Sequence, residues 1–161
     1  MIAEKVLGNL NVIEAGSRMI DRVRLTHDEI MKPHQKVTSE GGKVIGISLP
    51  EGERLHNGDI LYMDDAEIVA IELKEEEVFE IRPKNNIEWA RAAFNIGNMH
   101  QKAYLYSDCI RVPYDYVLER MIESLGVEYS REIQKLDGIP ANISAAGGHH
   151  HHGHDEGESD E

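Results

Sequence analysis

The stretch Pro113-Tyr114-Asp115-Tyr116-Val117-Leu118-Glu119-Arg120-Met121-Ile122-Glu123-Ser124-Leu125-Gly126 decides the fold. Its apolar side chains fall at Tyr114, Val117, Leu118, Met121, Ile122 and Leu125. From Tyr114 these are steps of 3, 4, 7 and 8, the stripe of an amphipathic helix. Pro113 and Asp115 suit its opening and Gly126 its close. Working outward, Cys109-Ile110-Arg111-Val112 and Ala103–Tyr106 precede it as short strands, and Val127–Ile133 follows it as another. Further upstream, Asn85 or Asn86 caps a helix through Ile87, Ala90, Phe94 and Trp89, Ala93, Ile96, with Gly97 near its end. Before that, Val78-Phe79-Glu80-Ile81 is a strand closed by Pro83. The order β-α-β-β-α-β is that of a ferredoxin-like split βαβ domain.

The first 73 residues have a different rhythm. Met19–Leu25, Lys43–Leu49, Ile60–Met63 and Glu67–Leu73 are short strands, separated by turns at Gly41-Gly42, Asn57-Gly58-Asp59 and Asp64-Asp65. The expectation is a small all-β, antiparallel domain over 1–73, joined through the charged Lys74-Glu75-Glu76-Glu77 to a ferredoxin-like domain over 76–136. Beyond Leu136 the periodicity dissolves. Residues 137–161 are expected to be a flexible, disordered, His-rich acidic tail. The class is α+β.

The 161 residues carry a net charge of −13, with 40% hydrophobic and 29% charged side chains. A packed core is affordable, and the acidic balance disfavours nucleic acid and anionic membrane surfaces. Asp155, Glu156, Glu158, Asp160 and Glu161 concentrate five of the negative charges, leaving −8 on residues 1–152. No apolar run approaches the roughly 20 residues that span a bilayer. Met1–Lys5 lacks the plan of a signal peptide, and Cys109 is the one cysteine. The expected compartment is the cytoplasm.

Chemistry concentrates in histidine. Gly147-Gly148-His149-His150-His151-His152-Gly153-His154 gathers five of the nine histidines. Neutral imidazole is a good ligand for nickel, zinc and copper, and a flexible run lets several rings converge on one ion. A purification tag gives a similar run, but this one stops at four, is interrupted by Gly153 and continues into an acidic segment. The run speaks for metal affinity without naming the metal. His100, in Ile96-Gly97-Asn98-Met99-His100, lies just past the first helix, where the negative end of the macrodipole favours a cation. One imidazole holds a metal poorly; a two-fold axis would bring two together.

His27, His34 and His56 have no ligand spacing and are expected at the surface or in turns. Cys109, inside an apolar strand, is expected to be a buried thiol. Met63, Met99 and Met121 are core residues before they are ligands, and Asp64-Asp65 is a polar turn before it is a catalytic pair. Lys32-Pro33-His34-Gln35-Lys36 is taken as a solvated loop. The sequence contains no G-x-x-x-x-G-K-[ST], G-x-S-x-G or H-E-x-x-H motif. The expectation is a protein without catalytic residues. With nine aromatics, mostly at apolar-face positions, there is no basic stacking platform for RNA.

An all-β first region, a ferredoxin-like second one, Gly97-Asn98-Met99-His100 after its first helix and a His-rich acidic tail together resemble the UreE family of urease accessory proteins. Arg24-Leu25-Thr26, Gly58-Asp59-Ile60-Leu61 and Tyr114-Asp115-Tyr116-Val117-Leu118 extend the likeness over nearly the whole chain. Where the family commonly has Arg, this chain has Met99. The resemblance implies a nickel metallochaperone that delivers Ni2+ for urease metallocentre assembly. It implies a homodimer formed through the second domain, with His100 of each protomer at an interfacial metal site. It also implies that the first domain, similar to a peptide-binding module, meets the urease apoprotein or its accessory GTPase complex. Positions 101–112 hold no further histidine, so additional ligands fall to His149, His150, His151, His152, His154 or water. Zinc or copper would take the same sites, and a general metal buffer would use the same residues; in the other alternative, a metal-independent interaction chaperone, the N-terminal β domain matters and the tail is incidental. For a metal-binding role, imidazoles must be neutral to bind, so affinity falls below about pH 6.5.

Overall fold

The computed structural model describes residues 1–141. Its N-terminal half contains β1 (Ile2–Ala3), β2 (Met19–Leu25), β3 (His34–Thr38), β4 (Val44–Ser48), β5 (Ile60–Met63) and β6 (Glu67–Leu73). These form two three-stranded sheets, ordered β1-β4-β3 and β2-β6-β5. Alternation in β2 buries Asp21, Val23 and Leu25 while Arg22 and Arg24 face outward. Val23, Leu25, Val69, Ile71 and Leu73 from one sheet share a core with Ile45 and Ile47 from the other.

Two features depart from the sequence reading. The half is all-β but not wholly antiparallel: β1 pairs parallel to β4, and β2 pairs parallel to β6 with Val23 opposite Ile71. Alternation tells which side chains are buried, not which way a neighbour runs; the long connection from β2 to β6 gives the chain room to return in the same direction. Also, His34-Gln35-Lys36 is not loop but the start of β3, antiparallel to β4 with Lys36 opposite Gly46. Its exposed His34, Lys36 and Thr38 mark an edge strand defended by polar side chains, which is why it looks like a loop.

Asp21 ties the two sheets together. Its carboxylate accepts from Ser39 Oγ at 2.6 Å and from the Gly41 N–H at 2.8 Å. A Cβ on Gly41 would stand 2.7 Å from Asp21 Oδ2, so the glycine is required for this approach. Hydrogen bonds from Ser39, Gly41 and Lys43 outweigh the opposing effect of burial and hold the carboxyl below its ordinary value.

The C-terminal half contains β7 (Glu76–Arg82), α1 (Asn86–Asn98), β8 (Tyr104–Leu105), β9 (Ile110–Pro113), α2 (Tyr116–Leu125), β10 (Glu128–Gln134) and β11 (Ile139–Pro140). The sheet order β10-β7-β9-β8 is antiparallel throughout, the arrangement of a ferredoxin-like domain, and β11 extends it beside β8. The sequence reading starts the flexible tail at residue 137; Ile139–Pro140 instead pair with Tyr104–Leu105. Two residues are too few to show a period, and Pro140 is tolerated because β11 is at an edge.

Asp115 caps α2, accepting from Val117 N at 2.8 Å and Leu118 N at 2.9 Å, and Gly126 closes it at φ 66°. Leu118, Ile122 and Leu125 bury against Phe79, Ile81, Ile110 and Val112 of the sheet. Each such side chain contributes about 1.5–3 kcal/mol on burial. The next residue along β7, Glu80, faces the other side. It is 3% exposed and is compensated by Arg82 and by Arg111, whose Nε donates at 2.7 Å. Among the described residues no helix is long and apolar enough to cross a membrane.

Candidate metal site

Helix α1 positions His100. Asn85 caps its start, its Oδ1 accepting from Ile87 N at 3.1 Å and Glu88 N at 3.0 Å. At the other end Met99 is the C-cap, with φ −83° and ψ 3°. The His100 N–H donates to Gly97 O at 3.0 Å and the Gln101 N–H to Ile96 O at 3.4 Å. That pair of bonds defines a Schellman motif, with His100 in the left-handed position usually given to glycine. Its φ of 54° makes it the one non-glycine residue with positive φ among the described residues. The left-handed region costs an L-residue roughly 1–2 kcal/mol.

The two apolar stripes of α1 have different fates. Trp89, Ala92, Ile96 and Met99 pack into the domain core, Ala92 replacing the expected Ala93 on the inward face. Ile87, Ala90 and Phe94 face solvent, with Ile87 73% and Phe94 68% exposed. This second stripe runs along the helix towards His100, whose side chain is also exposed.

The residues following His100 are gripped by the N-terminal half. Lys102 pairs with Asp28, and the Tyr104 ring stands edge-on to His27 at 6.0 Å. His27 lies in a turn, one of the two places expected for it, but is buried rather than at the surface. It is 7% exposed, its Nδ1 lies 2.8 Å from Glu76 Oε2, and its backbone N–H donates to the same oxygen at 2.8 Å. The Lys102 ammonium is the main reason that the Asp28 carboxyl titrates below its ordinary value. Burial is the main reason that the Tyr104 phenol is pushed up to about 12. None of these contacts has a sequence signature, because each joins residues about fifty or more positions apart.

His34 and His56 are exposed, as expected, and Cys109 is buried, with burial pushing its thiol up. Asp64 forms the anticipated turn, its Oδ1 accepting from Ala66 N and Glu67 N at 2.8 Å. A cleft of about 240 Å³ between the halves, lined by residues including Ile30, Arg54, His56, Tyr104 and Asp137, does not include His100. Among the described residues no three His, Cys, Asp or Glu side chains are grouped to hold a metal ion. His149, His150, His151, His152 and His154 lie outside the described residues.

A split-βαβ domain that follows an all-β half and presents an exposed histidine at a helix end defines an α+β architecture of two parts. Family models identify it more closely: residues 3–74 match the N-terminal domain of UreE urease accessory protein, and residues 76–161 match its C-terminal domain. The chain therefore belongs to the UreE urease accessory protein family. Relatives described as urease accessory protein UreE include one from Bacillus sp. (strain TB-90), 35% identical over 84% of this chain and 92% of its own length. Another, from Bacillus cereus, is 38% identical over 84% of this chain and 92% of its own length. A third, from Geobacillus kaustophilus, is 32% identical with the same coverage.

Proposed function

We propose that this protein is a cytoplasmic nickel metallochaperone, which captures Ni2+ and delivers it for assembly of the urease metallocentre. Two copies associate through α1, their Ile87, Ala90 and Phe94 stripes facing each other across a two-fold axis. The ion sits between the two His100 imidazoles, and His149, His150, His151, His152 and His154 gather ions and complete the coordination. The N-terminal half meets the urease apoprotein and the accessory GTPase complex. Zinc or copper can occupy the same ligands, because imidazole alone does not select nickel.

The observation that carries this reading is the position of His100. A non-glycine residue occupies a strained left-handed turn at the end of an exposed apolar stripe, where a second copy would bury the stripe and supply the matching imidazole. Two interfacial ligands and a tethered tail exchange stepwise more readily than a closed four-ligand cage, which suits a carrier. Nickel titration by calorimetry tests it on three full-length forms: the native chain, His100→Ala, and a chain with the five tail histidines changed to alanine. The expected result is one tight ion per dimer, lost in His100→Ala and retained more weakly, with lower total stoichiometry, in the tail variant. A tight ion that survives His100→Ala overturns the interfacial assignment. Unchanged urease activation by both variants under limiting nickel favours a metal-independent interaction chaperone instead.

A further inference from the structure

The cleft of about 240 Å³ between the halves takes no part in the proposed metal site. Its floor is apolar. Ile30, Leu55 and Leu73 come from the core of the N-terminal half, and Leu136 comes from the C-terminal half. Pockets for drug-sized ligands begin at roughly 300 Å³, so this one suits a group about the size of a single large residue.

Tyr104 and Arg54 bring to the cleft hydrogen-bond donors that the fold does not use. Tyr104 is 7% exposed. Among the described residues every enclosed side-chain oxygen or nitrogen has a hydrogen-bond partner. The Tyr104 hydroxyl has none, so this oxygen must reach the open space of the cleft. Burial first, and then Asp28 and Glu76, push the phenol up to about 12, so it keeps its proton and acts as a donor. The positive charge of Arg54 acts on the phenol in the opposite sense. Arg54 is exposed and pairs with no carboxylate among the described residues. The carboxylates around it are already engaged: Asp28 by Lys102, Glu76 by His27, and Asp137 by the Tyr106 hydroxyl.

An anion is therefore the favoured occupant, and its form follows from the walls. One guanidinium offers two parallel N–H groups to one planar carboxylate. A phosphate would turn further charged oxygens towards the apolar floor, where they would go unsatisfied. We propose that this cleft binds one carboxylate carried on a branched apolar stem, with Arg54 and the Tyr104 hydroxyl donating to its oxygens and the stem lying on Ile30, Leu55, Leu73 and Leu136. A free aliphatic acid and the last residue of a polypeptide both present this chemistry. The site stands apart from His100 and needs no metal ion. Its lining comes from both halves, so an occupant adds to the ties that Lys102–Asp28 and His27–Glu76 already make.

Heteronuclear magnetic resonance of the full, metal-free chain tests this with four probes. They are isocaproate, its amide, and acetyl-glycyl-glycyl-leucine with a free or an amidated C-terminus. A carboxylate should give saturable shifts of the Leu55 and Leu136 amide signals, on the two sides of the cleft, that its amide does not give. Saturation by isocaproate assigns a free acid, saturation by the peptide alone assigns a chain terminus, and both outcomes support the site. Arg54→Gln and Tyr104→Phe should each weaken binding about tenfold, the loss expected for one hydrogen bond to a charged group. Lys36→Gln removes the same charge from β3, outside the cleft, and should leave binding unchanged. The proposal is overturned by equal shifts with the amides, by no saturable shift with either carboxylate, or by binding that survives Arg54→Gln. Equal weakening by Lys36→Gln also overturns it, since net charge alone would then account for binding. Arg54 is at an exposed position, so its variant decides the matter should Tyr104→Phe disturb the fold.

Discussion

Replacing His100 by glycine should make the apoprotein more stable while removing the tight metal ion proposed above. His100 holds φ 54° to satisfy the hydrogen bonds that close α1. Relief of the left-handed conformation is worth about 1–2 kcal/mol. Against it stands the extra backbone freedom that glycine loses on folding, about 0.5–1 kcal/mol. The net gain is about 0.5–1 kcal/mol, or roughly 2–3 °C in Tm for a chain of this size. His100→Ala is the necessary companion: it also removes the imidazole but keeps a Cβ in the left-handed turn, so it should gain nothing. The measurements are urea unfolding and thermal melts of metal-free protein at matched concentrations, because ligand and dimer both shift apparent stability. Nickel titration of each variant completes the comparison. A glycine variant less stable than native would refute the argument, since the side chain would then contribute more to the fold than its backbone strain costs.

Three other perturbations test separate parts of the structure. Phe94→Glu puts a charge in the exposed stripe of α1 and should yield monomers in sedimentation velocity while the far-ultraviolet dichroism stays native; a persistent dimer places the interface elsewhere. Glu80→Ala leaves Arg111 without its buried carboxylate and should cost about 3 kcal/mol in urea unfolding. Asp28 titrates below its ordinary value because Lys102 holds it charged, so the pair contributes fully above about pH 4 and is lost as pH falls through the depressed value. Lys102→Met should therefore lower stability at pH 7 and flatten the acid-unfolding profile below pH 4, followed by dichroism.

Much of the second half was legible because its signals are local. Asn85 and Asp115 announce helix starts, Gly126 an end, and the apolar spacing of α2 has one interpretation. Helix α1 shows the limit. Ile87, Ala90 and Phe94 identify a helix as well as Trp89 and Ile96 do, but period alone does not say which stripe the domain keeps and which it leaves to solvent. His27 and Glu76, or Asp28 and Lys102, meet through tertiary folding alone, so nothing near either residue foretells the contact. Strand direction in the first half escaped for a related reason, since β2 and β6 alternate identically whether they run together or opposed. His100 could be singled out by its neighbourhood, yet its strain could not, because glycine at position 97 looks like the natural helix stop.

The left-handed turn at His100 also separates aim from grip. The backbone at this residue is fixed by two hydrogen bonds and a packed helix, so the direction in which the side chain leaves the protein is set. The imidazole itself is exposed, and among the described residues no hydrogen bond restrains its ring. Metal-binding histidines usually have a second partner that locks the ring. In the proposed metal-binding role, rotation about side-chain bonds, a picosecond-to-nanosecond event in exposed residues, brings the ring to an ion or, once its bond to the ion has broken, withdraws it. Presenting or withdrawing such a ligand requires no domain motion.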